Sequence, residues 1–257
     1  MLATSSSGNC TFVGTSHTRI LIDAGLSRTD TFSRLAAIGE APEALDAIFI
    51  THEHSDHVAG LGVLVRTFQK KFKRDIPVYM THLTAPAIDW AGTLPKLETF
   101  QAGLRIRVGD LDVASFTIPH DAIDPVGYTV EAEGVKMGLA MDLGYMPESV
   151  KYHLLSSQLV VLESNHDIEM LKVGPYPWSV KQRVMGRRGH LSNDVVSEFI
   201  LEGLDGSVRT LLLGHLSEHN NHPGIVRLVA EQAMQRRGAA AQLVVAEPKL
   251  QSEVFEY

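Results

Sequence analysis

The sequence predicts an α/β fold in which two sheets are each covered by helices, a four-layer αββα sandwich built as a single domain over residues 1–257. Three observations predict it. Short apolar runs of four to seven residues recur along the chain, a length that suits buried strands better than helices. Almost every run empties into Asp, Glu or His, so the strand ends carry the reactive side chains. Stretches with apolar residues at helical spacing lie between the runs, and no repeat, low-complexity tract or linker divides the chain.

Taken in order, residues 19–22 form a strand that leads into Asp23, Ala24 and Gly25, and a helix over 28–38 stops before Gly39. The strand at 47–50 leads into Thr51, His52, Glu53 and His54. A helix over 59–72 follows, with Leu61, Leu64, Val65 and Phe68 on one face. Strands at 112–118 and 135–141 end at His120 and Asp142, and the strand at 159–162 ends at Glu163. Ser192 is an N-cap for a helix over 193–204, with Asp194 at its positive end. The strand at 211–214 ends at His215, and a helix over 225–236 completes the set.

Composition removes several function classes. Thirty acidic residues against 23 Lys and Arg leave a formal charge of -7, which disfavours a protein that coats nucleic acid through a generally basic surface. A local basic patch stays open. Cys10 is the one cysteine, which excludes intrachain disulfides and Cys-rich zinc clusters; it reads as a small buried apolar residue. The apolar runs fall far short of the roughly 20 residues that a membrane span needs. The chain turns at once to Thr4, Ser5, Ser6 and Ser7 rather than to a signal-peptide core. A soluble, cytoplasmic protein with no membrane partner is expected, with a homo-oligomer left open.

The densest chemistry lies at residues 51–57, Thr-His-Glu-His-Ser-Asp-His. On a loop leaving a strand, residues two apart project together, so His52 and His54 can reach one ion. A tight turn then aims Asp56 and His57 at a second. Imidazole and carboxylate ligands suit zinc, and also manganese or iron.

This segment resembles the HxHxDH signature of the metallo-β-lactamase superfamily, and the other four motifs of that pattern stand in order around it, Asp23 before it and His120, Asp142 and His215 after it. The resemblance implies the metallo-β-lactamase fold and two divalent ions. His52, His54 and His120 would hold the first, and Asp56, His57 and His215 the second, with Asp142 bridging and Asp23 orienting ligands. Glu163 followed by His190, ahead of the helix at 193, resembles the pairing in tRNase Z-type phosphodiesterases. There a Glu holds a His charged to protonate a poor leaving group.

Residues 5–10, 163–167, 189–193 and 215–221 resemble the YycJ/WalJ-like branch of the superfamily, whose members are described as DNA exonucleases working from the 5′ end. In that branch the first strand is usually longer than the four residues found here before the Ser motif, so either the start is shortened here or that edge strand is brief. The reading is a dinuclear metal-dependent phosphodiesterase, a 5′-to-3′ DNA exonuclease with a metal-bridging hydroxide as nucleophile. Asp56, His190 and Glu163 form its catalytic group. Arg187, Arg188, Asn165 and His166 are expected to bind substrate, and Lys181 and Arg183 to extend that basic patch.

The competing reading is a metal-dependent hydrolase of a small ester, thioester or cyclic phosphodiester. A redox diiron protein is disfavoured because such proteins carry Glu where this chain has His54. Residues 173–178 are expected either to form a flap on which Tyr176 or Trp178 stacks a base, or to pack on the core. Lys70, Lys71, Lys73 and Arg74 read as a solvated helix end.

Overall fold

Period-2 alternation in the strands builds three cores at once. In the computed structural model, which describes residues 1–90, 92–248 and 250–257, Ile20 and Ile22 point toward the opposite sheet, while Leu21 between them points toward helices. Ala47 and Phe49 repeat the pattern against Ile48, and Leu212 repeats it against Leu211 and Leu213. Side chains of strands alternate faces, so one strand serves two interfaces. The result is four layers, helix–sheet–sheet–helix, as the sequence predicts.

The first sheet has the order β1 (Thr11–Gly14), β2 (Arg19–Ile22), β3 (Ala47–Phe49), β4 (Pro77–Thr81) and β5 (Lys96–Phe100). Only the β1–β2 pair in it is antiparallel. Before β1, among the described residues, an isolated antiparallel bridge joins Ala3 and Cys10. Helices α1 (Arg28–Ala37), α2 (Ser55–Val58) and α3 (Leu61–Lys70) follow β2 and β3. Leu35 of α1 and Leu61, Leu64, Val65 and Phe68 of α3 pack in the outer core of this sheet.

The second sheet comprises β6 (Arg105–Val108), β7 (Leu111–Thr117), β8 (Val126–Ala132), β9 (Val135–Ala140), β10 (Leu159–Glu163), β11 (Thr210–Gly214) and β12 (Gln242–Val245), in the order β12-β11-β10-β9-β8-β7-β6. β9 to β12 are parallel neighbours, whereas β6 to β9 pair antiparallel. β7 therefore runs in the same direction as β9, β10 and β11, and all four release their chains at one edge. That edge carries His120, Asp142, Glu163 and His215.

Helices α4 (Glu148–Leu154), α5 (Ile168–Val173), α6 (Trp178–Val184), α7 (Asn193–Glu202) and α8 (Pro223–Arg237) accompany this sheet. Val150 and Leu154 of α4, Val196, Phe199 and Ile200 of α7, and Val226 and Ala230 of α8 fill its outer core. Among the described residues, no helix is long and apolar enough to cross a membrane.

Several expectations need correction. The helix expected over 59–72 is α3, which spans Leu61–Lys70 only, and the short α2 precedes it as a separate element. Gly60 lies so close to the Leu26 carbonyl that a Cβ there would come within 1.9 Å of its oxygen, and its N–H donates to Ala24 O. The contact turns the chain before α3 begins. α8 starts two residues earlier than expected, because Pro223 occupies its first turn and His222 Nδ1 accepts from Gly224 N as the cap.

Residues 173–178 are not a single flap, since they close α5 and open α6. Tyr176 packs edge-on against His219, while Trp178 remains exposed. The basic cluster at 70–74 ends α3, about 15 Å along that helix from the His-rich loop. Arg74 there bonds the carbonyls of Glu43 and Leu45.

Candidate metal centre

Asp23 organises the loop after β3. Its Oδ1 accepts from the Thr51 backbone N–H at 2.9 Å, and its Oδ2 faces His57 Nδ1 at 2.8 Å. A carboxylate only accepts, so His57 carries its proton on Nδ1 and, when neutral, turns a lone pair outward from Nε2. That Nε2 lies 3.0 Å from Asp142 Oδ2 and 3.5 Å from Asp56 Oδ2. Asn9 clamps the same turn. Its amide nitrogen is 3.1 Å from Asp56 Oδ2 and 3.1 Å from His57 Nε2, and its backbone N–H donates to Asp56 O.

Four groups of ligand atoms converge, each within 4.8 Å of one another: His52, His54 and His120; Asp56, His57 and His215; His52, His57 and Asp142; and Asp142, Glu163, His190 and His215. Asp142 thus faces ligands from both proposed sets. His52 Nε2, Asp142 Oδ2 and His215 Nε2 are buried without a hydrogen bond. Buried polar atoms left unpaired are costly, and imidazole nitrogens with carboxylate oxygens are what a divalent cation takes up. The residues present fit such a cation.

The electrostatics are steep. Burial pushes the Asp142 carboxyl upward, but His215 and His57 outweigh it and hold it well below the usual range. Burial works against a charge on His57, yet Asp23 and Asp142 raise its pKa well above the ordinary value. His215 behaves alike, reaching about 10 against the pull of burial because of Asp142, Asp56 and Glu163. His52 is lowered by burial and by the neighbouring His57.

Glu163, the last residue of β10, is fully buried and spends both oxygens. Oε1 accepts from His190 Nδ1 at 2.7 Å and from His215 Nδ1 at 2.8 Å. Oε2 accepts from the backbone N–H groups of Leu143 and Leu191. Burial alone would raise this carboxyl, but the two imidazoles pull it down to about 2. In return His190 is raised despite its burial. The Glu163–His190 pairing is where the sequence places it; the sharing with His215 was not anticipated.

The expected substrate-binding residues divide. Arg187 and Arg188 are exposed, and the Arg187 guanidinium lies 4.4 Å over the Tyr145 ring. Their peptide rests on Gly144, where a Cβ would come within 2.2 Å of Arg187 C. Asn165 is buried, its amide donates to the His215 carbonyl at 2.9 Å and its backbone is paired on both sides. His166 is also buried, and burial lowers it to about 4, so it is no cation for phosphate. Lys181 is lost to the patch too: its Nζ is spent on the Lys172 carbonyl. Arg183 bonds Asp121.

Sequence reasoning missed Asn9, Thr51 and Thr4, whose hydroxyl accepts from His215 N–H. Asn9 sits in the Ser-rich motif, which marked the segment without revealing what it touches.

Comparison with known proteins bears on the centre. The profile of the β-lactamase superfamily domain matches residues 18–215. The chain is 36% identical to exodeoxyribonuclease WalJ of Streptococcus pneumoniae over 250 residues, covering 95% of this chain and 89% of that protein. It is 35% identical to exodeoxyribonuclease YycJ of Bacillus anthracis over 241 residues, covering 93% and 89%. Among solved structures, the metallo-β-lactamase fold protein YhfI of Bacillus subtilis superimposes with a TM-score of 0.73 at 17% identity, over 96% of this chain and 94% of that one. This last likeness is one of fold.

Proposed function

The chain belongs to the metallo-β-lactamase-fold proteins of the β-lactamase superfamily, alongside the exodeoxyribonucleases WalJ and YycJ, and from that premise we propose that it is a metal-dependent exodeoxyribonuclease degrading DNA from the 5′ end. Divalent metal is its cofactor. In this reading two ions, zinc or manganese with iron admissible, are held by His52, His54 and His120 and by Asp56, His57 and His215, with Asp142 serving both. Bound cations supply a hydroxide nucleophile at neutral pH and charge against the phosphoryl oxygens.

The chain's own residues do the rest. Asp23 and Asn9 hold His57 and Asp56 in one orientation. His190 gives its proton to the departing 3′ oxygen of the released terminal nucleotide, which leaves a 5′-phosphate on the shortened strand. An alkoxide is a poor leaving group, so a positioned acid matters for a phosphodiester far more than for a thioester. Arg187 and Arg188 grip the next phosphate along the strand. Residues 1–257 act together as one domain, with Thr4 and Asn9 reaching the centre from the amino-terminal segment. The reading puts the protein in the cytoplasm with its DNA.

One observation carries the choice of phosphodiester: His190 Nδ1 stands 2.7 Å from the buried Glu163 carboxylate while its ring stays 21% exposed. An imidazole whose charged form the carboxylate favours is thus held at the rim of the centre. The test is product analysis on 5′- and 3′-labelled single-stranded DNA, with metal content measured in the same preparation. Bis-p-nitrophenyl phosphate and a thioester panel run alongside. Release of 5′-mononucleotides from the 5′ end is expected. Turnover confined to thioesters would overturn the reading.

A further inference from the structure

Asp121 follows His120 in the loop leaving β7 and has no part in the ligand sets described above. Its carboxylate is divided between two environments. Oδ2 takes the Nε–H of Arg183 from α6. Oδ1 is buried, accepts no hydrogen bond, and lies 3.3 Å from His120 Nε2 and 4.0 Å from His54 Nε2.

The tautomer of His120 makes this arrangement informative. Its Nδ1 is 3.1 Å from the Gly189 carbonyl oxygen, which can only accept, so Nδ1 carries the ring proton. In the neutral ring Nε2 is then a bare lone pair. Two acceptors, one of them anionic, face each other out of contact with water. A positive charge beside both relieves their repulsion. His54 Nδ1 stands 3.3 Å from the same His120 Nε2. About 3.3 Å is also the edge of a tetrahedron whose ligands bind at roughly 2.0–2.1 Å.

We propose that Asp121 Oδ1 is a fourth protein ligand of the cation held by His52, His54 and His120. The inference rests on the metal reading of the previous section and deepens it. Arg183 keeps the carboxylate turned, one oxygen on the guanidinium and the other on the cation, as outer partners of ligating carboxylates do. The two ions then differ: besides Asp142, four side chains would reach the first and three the second.

The test is cobalt(II) titration of the full apo-chain, followed by calorimetry and by the visible absorption of the bound ion, which reports its coordination. Asp121→Asn is expected to weaken one of the bound ions by at least 10–100-fold and to change its spectrum, as the reference variant His120→Ala does. Asp121→Glu, which keeps the charge, should recover part of the affinity. Arg183→Gln removes only the outer partner and is expected to weaken cobalt binding less than Asp121→Asn does.

Unaltered affinity and spectrum in Asp121→Asn, with loss in His120→Ala, would overturn the role of Asp121 and leave the metal reading standing. Loss of affinity in Arg183→Gln equal to that in Asp121→Asn would reduce the pair to a structural strut. An unaltered chain that binds no cobalt would overturn both readings together. Should Asp121→Asn fail to fold, Asp121→Glu against Arg183→Gln makes the same comparison.

Discussion

Glu163 holds two imidazoles with one oxygen and two backbone N–H groups with the other, so its replacement by Gln cannot be neutral. An amide can offer one acceptor to the histidines, but its NH2 would then face the N–H groups of Leu143 and Leu191. Glu163→Gln is therefore expected to lose diesterase turnover by at least about 100-fold and to shed metal as well, because His215 loses its orientation. His190→Ala is expected to lose turnover by a similar factor and keep its metal. Turnover of bis-p-nitrophenyl phosphate and elemental analysis check both, and wild-type rates in His190→Ala would remove the acid from the mechanism. His57 and His215 lead to a second expectation. Their raised pKa values favour the protonated rings before a cation arrives. Cation binding should release protons, and apparent affinity should climb with pH until His215 has lost its proton at about pH 10. Calorimetry in buffers of different ionisation heat measures that release.

At the scale of elements, three strand ends share one device. Asp23 (φ 65°), Asp142 (φ 60°) and His215 (φ 55°) stand in the left-handed region just beyond β2, β9 and β11. That conformation costs a non-glycine residue on the order of 1 kcal/mol and persists only where the surroundings over-determine it. At His215 the surroundings are Thr4, which accepts from its N–H, and Asn165, which donates to its carbonyl. Asn165 was legible as a residue near the centre, but its task as a brace depends on a strand neighbour that its own segment does not reveal. Gly144 is the corresponding support for the Arg187–Arg188 peptide. Gly144→Ala is expected to displace the loop that carries Arg187 to His190, cutting DNA turnover by at least about tenfold while leaving metal content intact. Parallel metal analysis and nuclease assays decide it; loss of metal together with activity would show that the damage spreads to Asp142.

Across the whole molecule, a formal charge of -7 must still admit a polyanion. Of the four cations expected in the basic patch, Lys181 is buried and Arg183 is tied to Asp121, which leaves Arg187 and Arg188. A small number of phosphate contacts predicts a shallow dependence of DNA affinity on salt, and Arg187→Ala or Arg188→Ala should each lower the slope of log K against log salt by about one. Fluorescence anisotropy of labelled single-stranded DNA over a salt series measures it. An unchanged slope in both variants would place the substrate path elsewhere.

By itself the sequence determined the layered α/β class, the strand ends that carry ligands, and the chemistry of those ligands. Alternation and residue type are local properties and survive any arrangement of the strands. The tertiary structure alone decided which ligands share a partner. β9, β10 and β11 lie side by side and parallel, so Asp142, Glu163 and His215 emerge next to one another, and one carboxylate can serve both His190 and His215. An alternating apolar run reads the same whichever strand lies beside it. For that reason the bracing of the centre by Thr4, Asn9 and Asn165, and the facing of Asp121 against His120, became visible only once the strands were paired.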